Sequence, residues 1–439
     1  MRPTRFATNA GGMLPALCVS LLAAVPAPLL AQAKAAAKPT PLEASVDRLA
    51  KHPAVTAAFS ALQNENAWTL DQQASICQIP APPFKEQARA AEYARRFRDL
   101  GVQNVRIDKE GNVIGEIRGA RPGPTLMLAG HLDTVFPEGT DVRVKREGTK
   151  LVAPGIGDDC RGLAVVLAVT KQVITQKIPF SGRLLVVGNV GEEGPGNLRG
   201  MRAIFAGPLR DSINMFISID GTGFGVTNGG VGSNRYRVHY KGPGGHSYGA
   251  FGMPNPMHAM GRAIAKIADL EATTTPKVTF NVGIVSGGTS VNSIPFEAIM
   301  EIDLRSETAA ALAEIDGRLQ KALRDAVVEE KARWPQSKAA LTLQIDTMGL
   351  RPAGTTPDTS FIVRASLAAA RTMNVYAPLT ISSTDANVPM NLRIPAVTLD
   401  GGGVGRGAHS LDESYDDRND GYKGPQWVLL AVLGMLGVK

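Results

Sequence analysis

A chain of 439 residues with 44% apolar side chains is long enough for two domains, or one large one, with ample core. Aromatics are only 5% and glycines number 47, which suits an α/β protein with many turns. The formal charge of +7 is spread rather than clustered, which argues against a nucleic-acid partner.

The N-terminus reads as a secretory leader. Arg2 and Arg5 precede an apolar run over 13–30, and Ala31-Gln32-Ala33 is an A-x-A cleavage pattern. Pro15, Pro26 and Pro28 interrupt the run, which argues against a stable membrane anchor, and Leu17 is large for the residue before a lipidated Cys18. The expectation is a signal peptide over 1–33, cleaved near Ala33, and an exported protein, periplasmic or secreted. The stretch 34–41, rich in Ala and Pro, then reads as a short tether. Cys77 and Cys160 remain after cleavage, and sequence leaves their pairing open.

Segments 42–66 and 67–79 carry helical spacing, and Pro80, Pro82 and Pro83 break the second. Segment 84–100 is helical again and stops at Gly101. Segment 105–117 reads as a hairpin turning near Glu110-Gly111. An apolar strand over 124–128 then runs into Gly130-His131-Leu132-Asp133-Thr134-Val135. On a continuing strand His131 and Asp133 share a face. That suits a metal-binding imidazole with a carboxylate fixing its tautomer.

Pro154-Gly155-Ile156-Gly157-Asp158-Asp159 is a turn leading into an apolar helix over 163–173. Its acids either cap that helix or reach a metal ion. Strand 183–189 ends in Glu192-Glu193-Gly194. Adjacent acids at a buried strand end repel and are costly without a cation. Strand 215–219 ends at Asp220. Three apolar strands thus end in histidine or carboxylate at the edge where open α/β sheets bind ligands.

Past 228 the order is strand 235–240, helix 257–270, strand 277–282, strand 298–304, helix 307–334 and strand 340–345. This is the pattern of a ferredoxin-like α+β sandwich, inserted over 229–345. The first domain resumes with helix 359–373, strands 379–382 and 394–399, and helix 424–436, with His409 between the last two.

His131, Asp158, Glu193, Asp220 and His409, with Asp133 and Glu192 beside them, are a ligand mixture that zinc accepts. One shared carboxylate, with one His and one acid per ion, gives each of two ions three protein ligands. Two ions about 3.5–4 Å apart can clamp a carbonyl oxygen and generate hydroxide near neutral pH. A free carboxylate beside that water is a natural general base.

With these motifs, and Gly245-His246-Ser247 and Ala408-His409-Ser410, the chain resembles a di-zinc exopeptidase and deacylase family. Its members include carboxypeptidase G2, peptidase T, acetylornithine deacetylase and succinyl-diaminopimelate desuccinylase. The resemblance runs from about residue 42 to the C-terminus. It implies a mixed-sheet α/β catalytic domain over 42–228 and 346–439, with 229–345 as a dimerisation and lid domain. It implies two Zn2+ per subunit, with Co2+ or Mn2+ as alternatives. Asp158 would bridge them, His131 and Asp220 would hold one, and Glu193 and His409 the other. The family has a basic residue where Cys160-Arg161 stands, which leaves the register open between Asp158 and Asp159. Asp158 is preferred because the flanking glycines then align without a gap.

By the same resemblance Asp133 orients His131, and Glu192 is the base that takes and returns the proton. His246 reaches the partner subunit's site in a homodimer, and Asn292 and Arg305 hold the substrate. The substrate would be a short peptide or an N-acyl amino acid. His52, His239 and His258 lie outside every motif and read as structural.

Two other classes compete. Gly245-His246-Ser247-Tyr248-Gly249 matches the serine-hydrolase elbow, with Asp385 and His409 following in a permissible order. That reading needs a buried strand and a helix around Ser247 and leaves Glu192, Glu193 and Asp158 unexplained. An exported binding protein that kept the fold and lost catalysis is the third, and the complete ligand set argues against it.

Overall fold

Strand Arg121–His131 shows why the main sheet is buried on both faces. Its Leu126 and Leu128 enter one core, Met127 and Ala129 another. Strand Ser181–Asn189 divides the same way, Leu184 and Val186 against Leu185 and Val187. Continuous apolar runs are what a parallel sheet covered by helices requires. The computed structural model describes residues 38–438, and the expected leader lies outside them.

Among the described residues nine strands form this sheet. Their order is Gln103–Ile107, Val113–Arg118, Ser181–Asn189, Arg121–His131, Met215–Ile219, Ala396–Leu399, Val226–Gly230 and Gly354–Thr355, with Leu379–Ser382 also paired to Val226–Gly230. The four central strands are parallel, so their carboxyl ends share one edge. Helices Pro53–Asn64, Gln87–Asp99, Cys160–Thr175, Phe361–Thr372 and Lys423–Leu436 pack on one face. Helices Arg199–Ala206 and Asn387–Asn391 pack on the other. Lys423–Leu436 is apolar nearly all round because it is buried nearly throughout.

The expected helix over 42–66 is two, Pro41–Ala50 and Pro53–Asn64. Pro53 has no N–H to continue the first and suits the first turn of a new helix. His52 caps it, with Nδ1 accepting the Ala54 N–H at 3.3 Å.

A separate antiparallel sheet runs in the order Val278–Gly287, Glu297–Ser306, Gly232–Lys241 and Thr342–Arg351. Helices Pro256–Ala268 and Ala309–Ala332 cover it, packing on Tyr236, Val238, Tyr240, Met300, Ile302 and Leu304. This is the ferredoxin-like order that the strand–helix pattern predicts. The main sheet extends to Gly230 and the smaller one to Arg351, so the chain crosses at 230–232 and 351–354 rather than at 228/229 and 345/346.

A further small sheet joins Lys145–Glu147, Lys150–Val152, Ser414–Asp416 and Val404–Arg406. Strands of three residues are too short to show a period in sequence. Pairing of Ser414 with Val152 brings the segment carrying His409 beside the turn carrying Asp158.

Candidate metal centre

His131 closes its strand, Glu192 and Glu193 follow Ser181–Asn189, and Asp220 follows Met215–Ile219. All stand at the carboxyl edge of the parallel strands. Asp158 precedes helix Cys160–Thr175, and His409 lies between two strands of the small sheet, in a left-handed conformation at φ 66°.

The Asp158 carboxylate lies between the two histidines. His131 Nε2 is 2.9 Å from Oδ1 and His409 Nε2 is 3.1 Å from Oδ2. His409 Nε2 is also 2.9 Å from Glu193 Oε1. His131, Asp158 and Asp220 offer donor atoms within 4.8 Å of one another, and so do Asp158, Glu193 and His409. The two triads share Asp158. His131, Glu192 and Glu193 make a third such grouping.

Asp158 and not Asp159 faces the histidines. Asp159 caps the helix, accepting the Gly162 N–H at 2.9 Å and the His131 N–H at 2.9 Å. A Cβ on Gly162 would stand 2.1 Å from that carboxylate, so the position needs glycine.

Asp133 meets the His131 ring chiefly through its main chain and also holds the glutamates. The strand ends at His131, and His131 Nδ1 meets the main-chain oxygen of Asp133 at 3.1 Å, with the carboxylate at 3.7 Å. The carboxylate accepts the N–H groups of Glu192 at 3.0 Å and Glu193 at 2.8 Å. It fixes the turn that presents both glutamates.

The charges are unbalanced. Burial pushes Glu192 and Asp220 well above the usual carboxylate range, reinforced by Glu193 beside the first and Asp158 beside the second. Burial works against charge on His131 as well, but hydrogen bonds with Asp133 and Asp158 prevail and hold its pKa well above the usual value. Bonds to Asp158 and Glu193 lift His409 to about 10. Burial disfavours the Asp158 anion, yet bonds from His131 and His409 keep its pKa low. A cluster in which carboxylates raise both imidazole pKa values is short of positive charge, and divalent cations would supply it. Two imidazoles with surrounding carboxylates fit ions that accept both nitrogen and oxygen.

The donors face a cleft of about 620 Å3, also lined by Arg235, Arg305, Arg351, Ser382, Ser383 and Asp400. Arg305 and Arg235 share Asp303, Nε to Oδ2 at 2.7 Å and Nε to Oδ1 at 3.0 Å. Arg235 also donates to the Gly194 oxygen at 3.3 Å. His246 and Asn292 do not line the cleft of their own chain. They sit together on a hairpin, where His246 pairs with Ser293 and the Asn292 oxygen accepts the Ser247 N–H at 2.9 Å. His246 is exposed.

The elbow geometry is not met at Ser247. Gly245–His246 is a two-residue strand and the next helix starts at Pro256. Cys77 and Cys160 are free thiols buried in one cluster with Leu151, Ile156 and Tyr415.

The metal reading of the sequence left out three buried groups, of which Asp385 figured only as the acid of the serine-hydrolase alternative. Arg351 donates from Nη1 to Glu192 Oε1 at 3.1 Å and to Ser383 Oγ at 3.0 Å. Asp385 accepts from Asn189 Nδ2 at 2.6 Å, and burial lifts its pKa to about 7. Glu413 accepts the N–H groups of Gly155, Gly157 and Asp158. Only Glu413 had a local signal, four residues after His409.

Residues 228–331 match the Peptidase dimerisation domain family and residues 112–239 match Peptidase family M28. The chain is 27% identical to carboxypeptidase G2 of Pseudomonas sp. (strain RS-16) over 244 residues, 51% of this chain and 57% of that protein. It is 26% identical to a succinyl-diaminopimelate desuccinylase of Corynebacterium glutamicum over 242 residues, 52% of this chain and 64% of that protein. The chain thus spans less than two thirds of the length of these curated relatives. In fold it is similar to the aminopeptidase PepT of Bacillus cereus, with TM-score 0.69, 19% identity and coverage of 84% of this chain and 98% of that one. It is also similar to the YXEP protein of Bacillus subtilis, a dinuclear metal binding peptidase from the M20 family, with TM-score 0.62, 16% identity and coverage of 87% and 100%. The chain is thus similar in sequence to carboxypeptidase G2 and succinyl-diaminopimelate desuccinylase, and similar in fold to PepT and to a dinuclear metal binding peptidase of the M20 family.

Proposed function

We propose that this protein is a metal-dependent hydrolase of linear amide bonds, an exopeptidase or deacylase acting on short peptides or N-acyl amino acids. The observation that carries the reading is the Asp158 carboxylate, which offers one oxygen to His131 and the other to His409. Asp158 would bridge two ions, with His131 and Asp220 on one and Glu193 and His409 on the other. Zinc is the first choice, with cobalt or manganese as alternatives. When bound, such a pair polarises an amide carbonyl and makes a nearby water more acidic.

The chain's own residues do the rest. Glu192 takes a proton from the attacking water and returns it to the leaving nitrogen. Burial raises its pKa well above the usual carboxylate value, the direction that makes a carboxylate a stronger base. Arg351 bonds Glu192 Oε1, and Asp133 holds its main chain. Arg305, on the cleft wall, is suited to a substrate carboxylate. His246 would enter the site of a second copy and steady the developing oxyanion, and Asn292 beside it would hold the substrate carbonyl. Export after cleavage near Ala33 is part of the same proposal, because scavenging of peptides suits an exported hydrolase.

The test is a hydrolysis screen of di-, tri- and N-acyl peptides with metal analysis on the same sample. Activity should fall with chelator and return with zinc. Chelator-resistant activity that a fluorophosphonate abolishes would instead support the serine reading.

A further inference from the structure

We propose that Glu413 is a positioning residue that sets both candidate metal pockets at once, by clamping the turn that presents Asp158 to the segment that presents His409. The inference rests on the metal-centre reading above. The Glu413 side chain is 2% exposed and accepts three main-chain N–H groups: Gly155 at 2.9 Å on Oε2, and Gly157 at 2.7 Å and Asp158 at 2.9 Å on Oε1. Its main-chain oxygen accepts the Ala153 N–H at 3.0 Å. One residue thus makes four bonds to the 153–158 turn.

The far side of the clamp is equally specific. Ser410, next to His409, donates to the Gly407 oxygen at 2.5 Å and to Asp412 Oδ1 at 2.7 Å. The loop between His409 and Glu413 is therefore closed on itself, and moving Glu413 moves His409. Gly157 is shaped for the carboxylate, since a Cβ there would lie 3.0 Å from Oε1. Glu413 touches no donor atom of the centre. It acts through the main chain of Asp158, the residue both metal triads share. A carboxylate suits this task because it only accepts, and all the partners named are donors.

The test uses Glu413→Gln in the full chain. Gln keeps the shape but replaces one acceptor with an NH2 group, which must then face an N–H. The metal-free protein is titrated with Zn2+ against a competing chelator, and the visible spectrum of the Co2+-loaded form is recorded. Both metal equivalents should bind about 10–100-fold more weakly, with an altered Co2+ spectrum. Wild-type affinity for both equivalents with an unchanged spectrum would overturn the proposal. If Glu413→Gln does not fold, Gly157→Ala replaces it, crowding the carboxylate without removing it. It should weaken Zn2+ in the same way, and wild-type affinity there also overturns the clamp. Failure of the underlying metal reading shows up separately, as a wild-type protein that binds no Zn2+, and it overturns both.

Discussion

Arg351 reaches from the end of the four-stranded sheet to Glu192, with Nη1 3.1 Å from Oε1 and Nη2 bonded to the Glu192 main-chain oxygen. Both side chains are buried. The four-stranded sheet thus supplies the cation that offsets the proposed general base. Burial raises the Glu192 pKa and Arg351 lowers it. Arg351→Met removes the lowering influence, so the pKa should rise further. The acidic limb of the kcat/KM profile should then move to higher pH, with activity recovering at alkaline pH in the variant that folds. Losing one partner of a buried pair also costs about 3–5 kcal/mol of stability, so rates are compared well below the melting temperature. An acidic limb at the wild-type position would refute the electrostatic role.

Glu192 and Glu193 are neighbours held by one carboxylate, Asp133, yet their side chains part. Glu192 turns to Arg351 and Glu193 to His409. Glu192→Ala should therefore abolish turnover and leave metal content intact, while Glu193→Ala should lower metal content. Metal analysis alongside kinetics on both variants decides it. Normal activity in Glu192→Ala would show that the base lies elsewhere.

The parallel strands and the acids at their ends were legible because a buried strand is a continuous apolar run and its end is marked by polar residues. His131, Glu193 and Asp220 follow that rule. The ferredoxin-like pattern was legible for the same reason, through long periodic elements. What stayed hidden depends on distant partners. Glu413 and Asp158 are 255 residues apart, and Arg351 and Glu192 are 159 apart. Glu413 lies four residues after His409, but nothing near either residue of each pair marks its distant partner. The strand stops at His131, so Asp133 meets the ring through its main-chain oxygen rather than through strand alternation, which sequence alone does not show. His52-Pro53 was visible as a helix break, but apolar spacing on both sides masked it.

Asp400 gives a stability prediction with a definite sign. Burial lifts its pKa from 3.8 to about 6, against the Gly225 N–H that it accepts. A raised carboxyl pKa means that the folded state prefers the protonated form. Below about pH 4 both states are protonated and nothing is lost. As pH rises from about 4 to about 6 the unfolded state ionises first and stability falls, then levels off. Asp400→Asn mimics the protonated acid and should stabilise the protein at pH 7 by about 1–3 kcal/mol. The gain in melting temperature over wild type should shrink toward zero near pH 4. A gain independent of pH would show that ionisation of Asp400 is not its source.

His246 is exposed on a hairpin and absent from the cleft of its own chain. Its proposed role therefore needs a second copy, and that can be tested without a structure of the dimer. His246→Ala and Glu192→Ala should each be nearly inactive alone. Co-expressed in equal amounts, half of the dimers would be mixed. In each of those, one site would combine an intact Glu192 from one chain with an intact His246 from the other, restoring about a quarter of wild-type activity. If His246 served its own chain, the mixed dimer would contain no complete site and activity would stay at the level of the single variants. Size-exclusion chromatography of the same samples separates loss of chemistry from loss of assembly. A monomeric wild type with full activity would remove His246 from the mechanism.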